Sequence, residues 1–201
     1  MEKIFKESWL SKDQELLNRF ESFFPQGKMT ILNINDLPPA VLDFFESNSK
    51  KFVLPEVYQP KDFKKFMLVN FDNGDRTYIA NQVKKYNEEE DGTEDLNYLV
   101  DYRGDENIGH AELRYNLSDS EYFQNKPFIG YTNTEEKYQK TGLGMRRIFL
   151  LDALAKTFYN HSVCSDTVIT DQAKSLWEYL VQDGKAKKFK EGEHDRYMML
   201  D

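Results

Sequence analysis

Apolar positions in the first third of the chain recur at helical spacing. Leu16, Leu17, Phe20, Phe23 and Phe24 fall on one face, Ser11 is an N-cap candidate, and Pro25 and Gly27 end the run. The pattern predicts a helix from Ser11 to about Phe24. Residues 29–34 read as a short strand. Asp36, Pro38 and Pro39 then suit a helix start, with Val41, Leu42, Phe44 and Phe45 as its buried stripe. Aromatic stripes of this kind can line a pocket, but here they are read as core.

From about Lys65 the period changes to that of strands. Residues 66–71 form an apolar run, Asp72-Asn73-Gly74-Asp75 is a turn signal, and 77–85 is a second extended stretch. The acidic segment 87–92 reads as a solvated loop, with steering of a cationic substrate as a secondary role. A hairpin follows, 96–102 and 108–115 around the turn 103–107, and then a strand over 127–133. A long apolar helix is expected over 143–159, a short strand over 163–165, and a helix capped by Thr170 that carries Leu176, Trp177 and Leu180 and ends at Gly184. A closing strand pair is expected at 186–190 and 196–200.

Composition narrows the class. At 201 residues, 39% hydrophobic and 31% charged, the chain suits one globular domain, with the helical segment 1–60 as its beginning or an extension and 61–201 as its body. A net charge of −8 argues against nucleic acid, whose phosphates demand a basic surface, and weakly favours a cationic partner. No apolar run approaches the roughly 20 residues that span a bilayer, so no membrane role is expected. The first residues lack a secretory pattern, and a single Cys164 with 3 His gives neither a disulfide nor a zinc pattern. The expectation is a cytoplasmic protein without a metal.

The chemistry concentrates in one loop, Thr134-Glu135-Glu136-Lys137-Tyr138-Gln139-Lys140-Thr141-Gly142-Leu143-Gly144-Met145-Arg146-Arg147. A strand enters it and the long helix leaves it. Glycines at such a turn expose backbone N–H groups, and a helix start adds unpaired donors and a partial positive charge, so phosphate groups bind well there. Arg146 and Arg147 oppose the helix dipole unless something anionic answers them. Either a bound anion or Glu135 and Glu136 could do so. The chain has no G-x-x-x-x-G-K-[ST] loop, and Gly142-Leu143-Gly144 lacks the third glycine of a dinucleotide fingerprint.

Gln139-x-x-Gly142-x-Gly144, placed after a strand and opening a helix, is similar to the [QR]-x-x-G-x-[GA] loop of the GNAT acetyltransferases. Ala173-Lys174-Ser175-Leu176-Trp177-Glu178-Tyr179-Leu180 resembles that family's A-x-x-L-Y-E-x-L helix, and the likeness runs in order over 96–201. It implies an α/β (α+β) fold, a twisted, mixed but mostly antiparallel sheet flanked by helices with a helical N-terminal region. It also implies an N-acetyltransferase that moves the acetyl group of acetyl-CoA to a primary amine in a ternary complex. The acceptor is read as a small molecule; a protein or peptide amine and a non-catalytic CoA-binding module are the alternatives. Backbone amides of Gln139, Lys140, Thr141, Gly142, Leu143, Gly144 and Met145 would hold the pyrophosphate, with Asn133 and Thr134 along the pantetheine arm.

The resemblance breaks at Trp177, which stands where the family helix carries a tyrosine acid. Glu112 is the first candidate base, on the same strand face as His110 by alternation, with burial raising its carboxyl pKa; an exposed structural carboxylate is the other reading. Tyr131 is the candidate acid. The N-terminal region is left two roles, shaping the acceptor site or mediating a homodimer, and the sequence does not choose.

Overall fold

The computed structural model describes residues 2–51, 63–85, 93–116 and 126–201; the acidic segment 87–92 and the boundary placed at residue 60 lie outside them. The elements are α1 (Glu2–Phe23), β1 (Gly27–Leu32), α2 (Pro39–Lys51), β2 (Phe63–Phe71), β3 (Asp75–Lys85), β4 (Thr93–Arg103), β5 (Glu106–Asn116), β6 (Phe128–Thr134), α3 (Leu143–Tyr159), α4 (Asp171–Gln182), β7 (Ala186–Glu191) and β8 (His194–Met199). Strands β1 to β6 form one antiparallel sheet in chain order, and β7 and β8 form a separate hairpin. The fold class expected from the sequence is the one observed. The N-terminal strand belongs to the same sheet, since β1 pairs with β2 from Gly27↔Phe71 to Leu32↔Phe66.

Alternation along the strands sorts side chains into two buried layers. On one face Met67, Val69, Ile79, Leu99, Ala111, Leu113 and Ile129 pack under α1 and α3, joined by Trp177 and Leu180 of α4. On the other, Phe66, Tyr78, Leu96, Tyr98 and Val100 are covered by Leu37, Val41 and Phe45, the latter two from α2. Helix α3 is buried over most of its length, as expected of a helix that is apolar nearly all round.

Three local expectations are corrected. Helix α1 runs through Ser11 and begins at Glu2, because serine inside a helix costs little. Strand β1 ends at Leu32, since Asn33 N–H donates to Asp36 Oδ2 (3.2 Å) and turns Ile34–Asp36 into a 3₁₀ helix. The segment 163–165 makes only isolated bridges. Cys164 pairs in parallel with Phe128 and antiparallel with Met198, which stitches the hairpin to the end of the large sheet.

Candidate active site

The site begins where that stitch ends. Cys164 N–H donates to Pro127 O (2.8 Å) and Ile129 N–H to Cys164 O (2.9 Å). Beyond Ile129 no strand pairs with the outer edge of β6 among the described residues. A bulge helps it diverge: Glu112 pairs with Tyr131 and Leu113 with Ile129, leaving Gly130 as the extra residue on β6, and a bulge bends and twists its strand. Glu135 N–H donates to Ile108 O (3.2 Å). By alternation Asn133 and Tyr131 also turn their backbone groups toward β5, so Thr132 and Thr134 turn theirs to the open edge.

The loop after β6 is held at three points. Tyr138 O–H donates to Glu106 Oε2 (2.6 Å), Thr141 Oγ1 donates to Tyr138 O (2.6 Å), and Gln139 Nε2 donates to Thr134 O (3.2 Å). Lys137 adds an ion pair with Glu106. Two residues then take left-handed backbone, Lys140 at φ 61° and Gly142 at φ 88°. A non-glycine residue there is strained by about 1–2 kcal/mol. Closely spaced left-handed residues curve successive N–H groups into an anion-binding concavity. Gly142 is the N-cap of α3, no side chain caps it, and a Cβ there would meet nothing within 4 Å. The first intrahelical bond runs from Arg146 N–H to Gly142 O (3.0 Å), so the N–H groups of Leu143, Gly144 and Met145 have no helical acceptor. Gly144 sits against α4, where an added Cβ would come 3.2 Å from Leu176 Cδ2.

Neither arginine answers Glu135 or Glu136, and neither faces the loop. Arg146 Nη1 donates to Asp75 Oδ2 (2.6 Å), with its guanidinium 4.2 Å from the centre of the Phe71 ring. Arg103 Nε and Nη2 reach the same carboxylate at 2.8 and 3.0 Å. Arg103 first, and Arg146 with it, hold the Asp75 carboxyl well below the usual carboxylate range against the opposing effect of burial. Arg147 is buried. Its Nη2 donates to Asp101 Oδ2 (2.5 Å), and its Nη1 lies 3.0 Å from Thr132 Oγ1, 2.8 Å from Asn133 O and 3.1 Å from Thr134 Oγ1. Asp101 also accepts from Thr77 Oγ1 (2.5 Å). The two cations near the start of the helix are thus neutralised by sheet carboxylates, an arrangement the sequence alone did not suggest.

On the α2 face, Glu112 is 4% exposed and does not stand alone: Arg114 Nε and Nη2 donate to its Oε2 at 3.1 and 2.6 Å. Tyr131, its cross-strand partner, is 47% exposed. The Tyr131 ring stacks on His110 at 5.2 Å between centroids, and His110 in turn lies 5.4 Å from Phe44 of α2. Glu112, His110 and Tyr131 are therefore brought together beside the bulge. Trp177 is 2% exposed and stacks on Tyr197 at 5.9 Å, whereas Tyr179 is 54% exposed on another side of α4. The indole fills the core.

Of the residues singled out by sequence, Gln139, Lys140, Thr141, Gly142, Leu143, Gly144 and Met145 line the turn into α3, and Thr134 faces the open edge of β6. Asn133 turns its backbone to β5 and its carbonyl to Arg147. Sequence reasoning missed Asp75, Asp101, Gly109 and Thr132.

No protein-family model matches the chain, and no curated protein matches it. Among solved structures it is similar to a putative acyl-CoA N-acyltransferase from Klebsiella pneumoniae subsp. pneumoniae MGH 78578, at 12% identity over 86% of this chain and 94% of that one, with a TM-score of 0.36. It is also similar to a putative streptothricin acetyltransferase from Bacillus anthracis str. Ames in complex with acetyl coenzyme A, at 15% identity over 87% of this chain and 98% of that one, with a TM-score of 0.41.

Proposed function

We propose that the protein is an acetyl-CoA-dependent N-acetyltransferase of the GNAT type whose acceptor is the primary amine of a small molecule. One observation carries the reading: a strand edge that opens just past Ile129 runs straight into a left-handed turn and an uncapped helix start. The residues fit the cosubstrate. Backbone N–H groups from Thr141 to Met145 suit a diphosphate, and the outward groups of Thr132 and the N–H of Thr134 suit the amides of a pantetheine arm.

The chemistry follows from that placement. The amine nitrogen attacks the thioester carbon and the carbonyl electrons move onto oxygen, where β6 donors beside the bulge would stabilise the charge by a few kcal/mol. Collapse of the adduct breaks the C–S bond and releases CoA as a thiolate. The ammonium proton passes to Glu112, directly or through a water, and Tyr131 would return a proton to sulfur. The carboxylate of Glu112 beside the rings of His110, Tyr131 and Phe44 supports a cationic amine as the acceptor.

The test is calorimetry with CoA, followed by thiol release from acetyl-CoA over a panel of amines. Gly142→Val places a side chain where the diphosphate would lie. It should weaken CoA binding by about tenfold or more, since one charge-assisted hydrogen bond contributes roughly 1.5–3 kcal/mol. Absence of CoA binding by the wild type sinks the proposal. Binding without turnover would leave a CoA-binding module, and turnover of peptides alone would move the acceptor class.

A further inference from the structure

Arg147 departs from what its position in the chain dictates. It lies one turn into a buried helix, on the stripe that carries Leu143, Leu150, Leu151 and Leu154, where a cation opposes burial. Its guanidinium reaches past Gly109, where an added Cβ would lie 2.6 Å from Nη2. It ends on the backbone and hydroxyls of β6, at Thr132 Oγ1, Asn133 O and Thr134 Oγ1. The opposite edge of the guanidinium is held by Asp101, itself fixed by Thr77 Oγ1 at 2.5 Å. One planar group therefore joins the helix start to the strand that leaves the sheet.

We propose that Arg147 is a positioning residue that sets the span between the diphosphate cradle at the start of α3 and the thioester end on β6. The inference rests on the acetyltransferase reading above. If a cosubstrate is held at both places, its two ends are aligned only when helix and strand keep a fixed separation. Past Ile129 the outer edge of β6 has, among the described residues, no neighbouring strand to keep it in register. Arg147 supplies that restraint from behind. Its planar fork spans Asp101 and three oxygens of β6 at once, which an ammonium cannot do.

The decisive variant is Arg147→Lys, which keeps a cation beside Asp101 and gives up the fork. Wild type and variant are compared in kcat and KM for acetyl-CoA and in calorimetric affinity for adenosine 3′,5′-bisphosphate and for CoA. The expected result is a kcat lower by on the order of a hundredfold, as for reacting groups misplaced by about 1 Å. Affinity for the bisphosphate, which engages only one end, should change less than that for CoA. Thr132→Val, which removes one of the three β6 contacts, should show the same split in smaller measure. Wild-type kcat in Arg147→Lys overturns the assignment, as does an equal loss of affinity for both nucleotides, which would mark a general loosening of the fold. If the wild type itself binds no CoA, the acetyltransferase reading falls and this inference with it; if it binds and turns over, only the role of Arg147 is at stake.

Discussion

Gly109→Ala should be among the most damaging one-carbon changes available in this chain. Gly109 adopts φ 151°, a backbone region that residues with a side chain rarely enter, and its added Cβ would meet Asn133 O, Arg147 Nη2 at 2.6 Å and Thr134 Cα at 3.1 Å. The backbone term alone is of order 1–3 kcal/mol. The contact term is larger, because two of the three atoms belong to backbone and the third to a guanidinium held on several oxygens. Moving the guanidinium weakens its pair with Asp101 in a site where Arg147 is only 3% exposed, and breaking a buried pair costs about 3–5 kcal/mol. A total of about 4–8 kcal/mol corresponds to a fall in Tm of roughly 10–30 °C for a chain of this size. Gly104→Ala is the control. Gly104 has φ 59° with nothing within 4 Å of its added Cβ, so only the backbone term applies and the loss should stay near 1 kcal/mol. Urea unfolding of both variants measures the difference directly. If Gly109→Ala loses no more than Gly104→Ala, the account of the Arg147 passage is wrong.

Two further outcomes follow from groups held away from their ordinary ionisation. Asp75 is kept well below the usual carboxylate range by Arg103 and Arg146, so its contribution is fully present above its unfolded value of about 3.9 and is lost as pH falls through the lower folded one. The stability gap between wild type and Asp75→Asn should be constant from about pH 6 to 8 and shrink only in strong acid; a gap that widens on acidification contradicts the pairing. Burial pushes the Cys164 thiol up to about 11. A disulfide reagent at about pH 8 should leave the native chain unlabelled and react with one thiol once it is unfolded, thiolate being the reactive form. Rapid native labelling would contradict the packing around Cys164.

Much of the fold was legible because its signals are periodic. The spacing of Phe20, Phe23 and Phe24, the Asn73-Gly74 turn and the Thr170 cap act locally, and most elements formed close to where the pattern put them, the start of α1 and the segment 163–165 excepted; Thr170 Oγ1 does accept from Ala173 N–H at 3.2 Å. The turn into α3 was legible for the same reason, since Gly142 and Gly144 mark it within a few residues. The buried charges were not, because their meaning depends on partners 46 and 71 residues apart, Arg147 with Asp101 and Arg146 with Asp75. A trace of them existed. Asn97, Leu99 and Asp101 share one parity on β4, and Arg147 interrupts an apolar stripe, so each strand or helix carries a charge on its buried side. Burial of a charge demands a partner, and pairing the two interruptions would have located the contact.

That pairing also explains how an open strand edge can be kept in a stable protein. An unpaired edge invites other chains and loses the register that a neighbouring strand would impose. In this chain the loss is confined to the end of β6, because Cys164 closes the sheet as far as Ile129 and the hairpin of β7 and β8 continues it through Met198. Past that point register passes from backbone ladder to side chain, to Arg147 behind the strand and to Gln139 at its last carbonyl. A side-chain restraint leaves the outward groups of Thr132 and the N–H of Thr134 without a ladder partner, and only the Thr134 carbonyl is taken, by Gln139. The edge can therefore stay fixed and unpaired together, and that combination is what a ligand lying along it requires.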